Sequence, residues 1–227
     1  MSEIDPGLSV GTAVVHLFCK PASTVDHEAV RAAAAAAEAD GMTVISIAIM
    51  GHKADLAFML LGPELWRHRQ FQTEIQTAGL AVVESFISIT EVSEYAKSLP
   101  EEMLQDRLYP NLPPEGKNAW SFYPMSKRRG EVKNWFTMDF ETRKNMMYEH
   151  GTSGRKFAGR VVQLITASTG LDEYEWGVTL FCQQLDDLKD IVYTMRFDEA
   201  SAKYGEFGPF YTGIVAPLDD VLGQTIA

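Results

Sequence analysis

The chain has only two cysteines in 227 residues, Cys19 and Cys182, and no Cys-x-x-Cys pair. That count excludes a disulfide framework and a cysteine-rich zinc site. Each cysteine lies in an apolar run, at residues 14–19 and 178–182, which predicts buried structural thiols. Long hydrophobic stretches are also missing, since none approaches the roughly 20 apolar residues of a membrane-spanning helix. Residues 1–6 are acidic and have neither the basic nor the apolar region of a signal peptide, so a cytoplasmic protein without a membrane span is expected. Positive charge is scarce: 20 Lys and Arg stand against 31 Asp and Glu, a net charge of −11. Phosphate binding needs a basic field, so nucleic acid is excluded as a partner. Absent too are G-x-G-x-x-G, Walker A, G-x-S-x-G and H-E-x-x-H patterns, which leaves nucleotide-binding, serine hydrolase and zincin readings without support.

What is present is an ordinary globular composition, 46% hydrophobic and 22% charged, long enough to bury a sizeable core. The charge is unevenly spread. Residues 127–160 hold nine of the 20 Lys and Arg and four acids, Glu131, Asp139, Glu141 and Glu149. This segment is +5 and the remainder −16. Such an island suits a small polyanionic ligand, or is a solvated surface with no partner.

A stretch at 108–116 with three prolines and a glycine divides the chain into two halves. In the first half, strands are expected near 12–19, 43–49, 56–61 and 81–89, with a helix ending near 40 at Gly41 and another at 63–78. The second half repeats the order: strands near 119–125, 161–167, 174–181 and 207–214, with helices at 135–149 and 185–195. Each half is a β-α-β-β-α-β unit. The expected fold class is therefore α+β, with two tandem ferredoxin-like domains whose antiparallel sheets pack together, in the manner of a dimeric α/β barrel. Residues 1–105 form the first domain, 106–117 a proline-rich linker and 118–227 the second. That fold hosts many unrelated activities and decides none.

Five histidines are candidates for chemistry. His16 lies in an apolar strand, His27 and His68 are read on polar helix faces, and His52 sits in a turn between Gly51 and Lys53. His150 closes a predicted helix whose stripe of Phe136, Phe140 and Met147 could hold a flat aromatic group, with Gly151 as its stop. A histidine at a helix C-terminus is equally favoured by the helix dipole with no ligand at all. The segment from Tyr123 to Arg129 runs from a strand into three cations, Lys127, Arg128 and Arg129, suited to binding carboxylates. A lysine near Tyr123 is expected to ease the movement of its proton. A strand end with a solvated basic turn would carry the same residues.

Taken together, six separated motifs resemble the chlorite dismutase-like family, nearest to its coproheme decarboxylase branch, the hydrogen-peroxide-dependent haem synthases. They are Tyr123-Pro124-Met125-Ser126-Lys127-Arg128; Asn134-Trp135-Phe136; Glu149-His150-Gly151 with Gly154-Arg155; Gln163; Gly170-Leu171-Asp172 with Tyr174-Glu175-Trp176-Gly177-Val178; and Met195-Arg196-Phe197-Asp198-Glu199 with Tyr204-Gly205-Glu206-Phe207-Gly208. The match spans most of the second half. In the first half, Gly51-His52-Lys53-Ala54-Asp55-Leu56 is the best fragment.

The resemblance implies that His150 ligates haem iron through one ring nitrogen, with Glu199 as the acceptor for the other, or Asp198 in its place. It implies Tyr123 as the redox tyrosine, Lys127 and Ser201 as holders of propionates, Met125 at the porphyrin edge, Trp135 near the second reactive propionate, and Arg155 in the cofactor-binding set. Gln163 stands where chlorite dismutases carry an arginine, and a neutral amide cannot manage a chlorine oxyanion. The implied reaction converts Fe-coproporphyrin III, at once substrate and redox cofactor, to haem b. Peroxide supplies the oxidation, and a Tyr123 radical takes a hydrogen atom from each of two propionates, whose carboxyl groups leave as CO₂ to give vinyl groups. Implied partners are coproheme, hydrogen peroxide, the ferrochelatase that supplies coproheme, and four further copies of the chain in a pentamer. A chlorite dismutase, a haem peroxidase or a non-enzymatic haem carrier on the same scaffold are the rivals; a carrier would have no use for Tyr123 or Lys127.

Overall fold

The computed structural model describes residues 6–225 apart from Ser23 and Ser98. The acidic residues 1–5, and Ser23 before the first helix, lie outside the described residues. The first half supplies β1 (Ala13–Pro21), α1 (His27–Ala39), β2 (Thr43–Ile49), β3 (Leu56–Gly62), α2 (Leu65–Thr77) and β4 (Leu80–Thr90). Asp26 starts α1 by accepting the Ala29 amide, and Val30, Ala33, Ala34 and Ala37 form its buried stripe. The second half begins with α3 (Glu101–Leu108) and β5 (Ala119–Lys127), followed by a 3-10 turn at Trp135–Thr137. After it come α4 (Phe140–Arg155), β6 (Val161–Ala167), β7 (Trp176–Cys182), α5 (Leu185–Met195), α6 (Glu199–Tyr204), β8 (Gly205–Phe207), β9 (Tyr211–Val215) and α7 (Leu218–Gly223).

Strand pairing shows how the repeats combine. The first half orders its strands β4-β1-β3-β2 and the second β9-β5-β7-β6, the same ferredoxin-like order. β2 pairs with β9 and β4 with β6, all antiparallel, so the two sheets join edge to edge and close. β8 continues the β9 edge of β5, against Met125, Ser126 and Lys127. Closure removes the open edges that each half-sheet alone would expose.

One core fills the closed sheet, and both halves build it. Phe18 of β1 stacks on Tyr211 of β9 at 3.8 Å, and His16 stacks on Phe122 of β5 at 4.1 Å. Burial holds His16 neutral, lowering its pKa to about 3, with Nε2 3.2 Å from the Thr179 hydroxyl. Outside the barrel, α1 and α2 cover the first sheet through Val30, Phe71 and Ile75, and α5 covers the second through Leu188 and Ile191. Cys19 and Cys182 are buried and free, as expected, and burial pushes both thiols up to about 12. Among the described residues no helix is long and apolar enough to cross a membrane.

Several local expectations need correction. α3 crosses the expected boundary at 105/106; none of its residues is buried, so no apolar periodicity announced it. The helix read at 135–149 is two elements, because Asp139 caps a new helix by accepting the Thr142 amide. That helix then runs through Gly151 and Gly154 to Arg155 instead of stopping after His150. Gly154 lies against Met195, so packing on α5 overrides the glycines' tendency to end a helix. His68 is not on a solvated face. It is buried, with Nε2 3.0 Å from the Gly62 carbonyl, because α2 turns Arg67 and His68 inward.

Candidate functional site

Side chains alternate across β5, which puts Tyr123, Met125 and Lys127 on its outer face. In the register, Tyr123 lies opposite Val178, and Val178 opposite Ile165; the next row joins Ser121, Leu180 and Gln163. Tyr123 and Gln163 therefore share one face of the second sheet, with Gln163 exposed on it. Phe157, just after α4, and Met195, at the end of α5, pack with Tyr123 and Met125 over this face.

Tyr123 is buried, its ring stacked on Phe210 at 4.4 Å and edge-on to Phe207 at 5.7 Å. Among the described residues its hydroxyl has no hydrogen-bond partner, yet it is not sealed from solvent. Burial pushes its pKa well above the ordinary tyrosine value. The expectation that Lys127 eases its proton is thus reversed: desolvation of the phenolate dominates, and Lys127 is engaged elsewhere.

Lys127 is buried as well. Its ammonium donates to the Ala200 carbonyl at 3.0 Å and lies 4.6 Å from the centroid of Trp135. Burial lowers its pKa to about 8, partly opposed by the nearby charges of Asp198 and Glu175. Trp135 is buried beneath it, edge-on to Tyr204 at 5.5 Å. Glu175 accepts the Lys127 amide at 2.8 Å with one oxygen and the Arg129 guanidinium with the other. It thereby fixes the end of β5 where the basic loop begins.

His150 comes from α4. Its Nδ1 is 2.8 Å from Asp198 Oδ2, and the Ser201 hydroxyl is 3.4 Å from the same nitrogen. Asp198 is the N-cap of α6 and accepts the Ser201 amide at 2.8 Å. Burial opposes its ionisation, but hydrogen bonds from His150 and Ser201 outweigh this and hold its carboxyl below the usual value. Nε2 of His150 has no hydrogen bond among the described residues. One nitrogen is oriented and the other is free, as a ligating histidine requires.

The favoured acceptor, Glu199, is not the residue that meets His150. Glu199 lies in the first turn of α6, exposed, and pairs with Lys203, whereas the capping position turns Asp198 back towards α4. Ser201 stands beside His150, and Met125 packs on the apolar cluster with Tyr123. Arg155 is drawn into neither group: among the described residues it bonds to Thr152 at 2.6 Å and lies over Tyr148. Phe210 and Glu175 carried no role in the sequence reading. Only the register that folds β8 and β9 onto β5 brings Phe210 onto Tyr123.

No three His, Cys, Asp or Glu among the described residues come together as a metal cluster. An iron held by His150 would take its remaining ligands from something the chain binds, as a porphyrin supplies. An apolar sheet face, a free imidazole nitrogen and buried cationic Lys127 fit such a group with carboxylate edges.

The family model described as chlorite dismutase matches residues 23–216. The chain belongs to the chlorite dismutase family. Among its curated relatives is the coproheme decarboxylase of Staphylococcus carnosus (strain TM300), 42% identical over 179 residues, which are 74% of this chain and 71% of that protein. Among solved structures, a novel heme-binding protein from Thermus thermophilus aligns with 98% of both chains at 32% identity and a TM-score of 0.85. A mutant chlorite dismutase from Candidatus Nitrospira defluvii aligns with 96% of both chains at 20% identity and a TM-score of 0.76, a likeness of fold. In this family member the neutral Gln163 lies on the same sheet face as Tyr123.

Proposed function

We propose that this protein is a coproheme decarboxylase that converts Fe-coproporphyrin III to haem b. The observation that carries the reading is Tyr123: a buried tyrosine, held protonated, whose hydroxyl is left without a protein partner on the sheet face over which α5 and Phe157, just after α4, pack. A haem carrier would need no such residue. The 42% identity to the Staphylococcus carnosus coproheme decarboxylase supports the substrate.

The bound iron porphyrin supplies, with hydrogen peroxide, the oxidising equivalents. His150 would hold the metal through Nε2, and Asp198, by accepting the Nδ1 proton, would fix the tautomer and orientation of the ring. Tyr123, kept a protonated phenol because burial disfavours its phenolate, would lose an electron to that oxidant and its proton to the water formed from peroxide. It then takes a hydrogen atom from the β-carbon of a propionate. Loss of one further electron and of CO₂ leaves a vinyl group, so each round removes two electrons and reduces one peroxide to water. Two rounds give haem b. Lys127, charged below about pH 8, would bind a propionate carboxylate near Trp135, with the Ser201 hydroxyl beside His150 as a further polar group. Gln163 offers no positive charge to a chlorine oxyanion, which argues against chlorite as substrate.

In this reading residues 118–227 hold the substrate, while residues 1–105, joined through the 106–117 linker, complete the barrel. A ferrochelatase as donor of coproheme, a cytoplasmic setting and a ring of five subunits follow from the family resemblance. The test is to load the metal-free protein with coproheme, titrate hydrogen peroxide and follow the pigment by mass spectrometry. Stepwise loss of two carboxyl groups ending at haem b is expected. Binding without decarboxylation overturns the reading.

A further inference from the structure

The first half of the chain carries a residue that reaches the segment stacked on Tyr123. Lys53 lies in the turn between β2 and β3, where Gly51 adopts φ +93°. This turn is pinned on several sides. The Ile49 amide donates to the Asp55 carbonyl at 2.9 Å, and the Asp55 amide donates to the Cys19 carbonyl at 3.0 Å. The Met50 amide donates to the Thr212 carbonyl at 2.8 Å, Lys20 donates to the His52 carbonyl, and Ala54 is fully buried in the barrel interior.

From this fixed turn the Lys53 ammonium donates to the Phe210 carbonyl and lies 5.3 Å from the centroid of the Tyr211 ring. Phe210 belongs to the short segment 208–210 between β8 and β9. Its other end is held to β5, where the Gly208 amide donates to the Pro124 carbonyl at 2.8 Å. A Cβ on Gly208 would come within 2.7 Å of both Pro124 and Tyr174, so only glycine allows this approach. Between the two anchors, the ring of Phe210 covers Tyr123. Phe210 itself is 37% exposed, so packing on its outer side does little to keep it there.

We infer that Lys53 is a positioning residue for Tyr123: by holding the Phe210 carbonyl it keeps the Phe210 ring over the phenol. With Phe210 stacked on its ring, the phenol is less open to adventitious reductants, so a radical formed on it is spent on the substrate. The cover is assembled across the barrel join, by a turn of the first repeat acting on a segment of the second. Its catalytic consequence rests on the decarboxylase reading; its structural part does not.

The experiment compares wild type, Lys53→Met, Lys53→Arg and Phe210→Ala. In substrate-free protein, nitration of Tyr123 by tetranitromethane is followed by mass spectrometry of its peptide. Lys53→Met is expected to accelerate nitration by roughly threefold to tenfold, the scale of losing one ammonium–carbonyl hydrogen bond near the surface. Phe210→Ala sets the upper limit, and Lys53→Arg restores protection. In the coproheme-loaded protein, Lys53→Met is expected to lower kcat by a similar factor and leave KM for peroxide and coproheme affinity unchanged. Unaltered nitration in Lys53→Met overturns the inference, whether or not Phe210→Ala accelerates it. If wild type decarboxylates nothing but nitration follows the expected order, the clamp stands and only the proposed reaction falls.

Discussion

Asp198 holds the Nδ1 edge of His150 at 2.8 Å, while the opposite edge of the imidazole meets no protein acceptor among the described residues. The two residues come from different helices, and the cap that starts α6 is also the group that orients the ring on α4. Helix capping and the hydrogen bond that orients the imidazole thus share one carboxylate.

Replacing that carboxylate separates Asp198 from Glu199. Asp198→Asn keeps the cap but removes the negative charge, and is expected to weaken coproheme binding by about 10- to 100-fold. Glu199→Gln, which loses only an exposed pairing with Lys203, is expected to change it by less than about twofold. Soret titration of both variants checks this; equal losses would return Glu199 to the orienting role.

Tyr123→Phe removes one oxygen and keeps the ring stacked on Phe210. It is expected to bind coproheme as wild type does and to form no haem b. Pigment mass spectrometry after peroxide addition decides it, and normal product would remove Tyr123 from the mechanism.

Lys127 gives binding a dependence on pH. Burial lowers its pKa to about 8, so the ammonium proposed to meet a propionate is present below that pH and lost above it. Coproheme affinity is expected to fall up to about tenfold between pH 7 and pH 9. Lys127→Met should bind more weakly at pH 7 and show no such fall, as measured by Soret titrations at the two pH values.

His16 gives stability a dependence on pH. Its folded pKa is depressed to about 3 against 6.5 in the unfolded chain. Below pH 6.5 the unfolded state therefore binds the extra proton, and stability is lost as pH falls towards 3. The slope from this residue is at most about 1.4 kcal/mol per pH unit. Urea melts at pH 7, 6 and 5 should show it, and His16→Phe should flatten the dependence by about that amount.

Gly213 tests the join between the repeats. It pairs with Ile49 of β2 and Trp120 of β5, and a Cβ there would meet the Ala48 carbonyl at 2.5 Å. Gly213→Ala is expected to destabilise the protein by about 1–3 kcal/mol, the cost of overpacking a tight contact. Urea denaturation of the variant measures this; an unchanged midpoint would mean that the join yields freely.

The sequence by itself determined the strand and helix order of both repeats, the burial of both cysteines, and the motif set containing Tyr123, Lys127, His150 and Gln163. These are legible because alternation, glycine and proline stops, and motif spacing are properties of neighbours along the chain. The tertiary structure decided the rest. Closure of the barrel depends on edges from distant strands, β2 with β9 and β4 with β6. The acceptor for His150 was settled between two adjacent acids by which one caps α6, and α4 passed Gly151 because its partners are helices far along the chain. The pKa of Tyr123 went opposite to the expectation drawn from Lys127. A sequence shows that two residues are four apart, but burial, the cause of the raised pKa, is set only when the remote Phe207 and Phe210 fold over the ring.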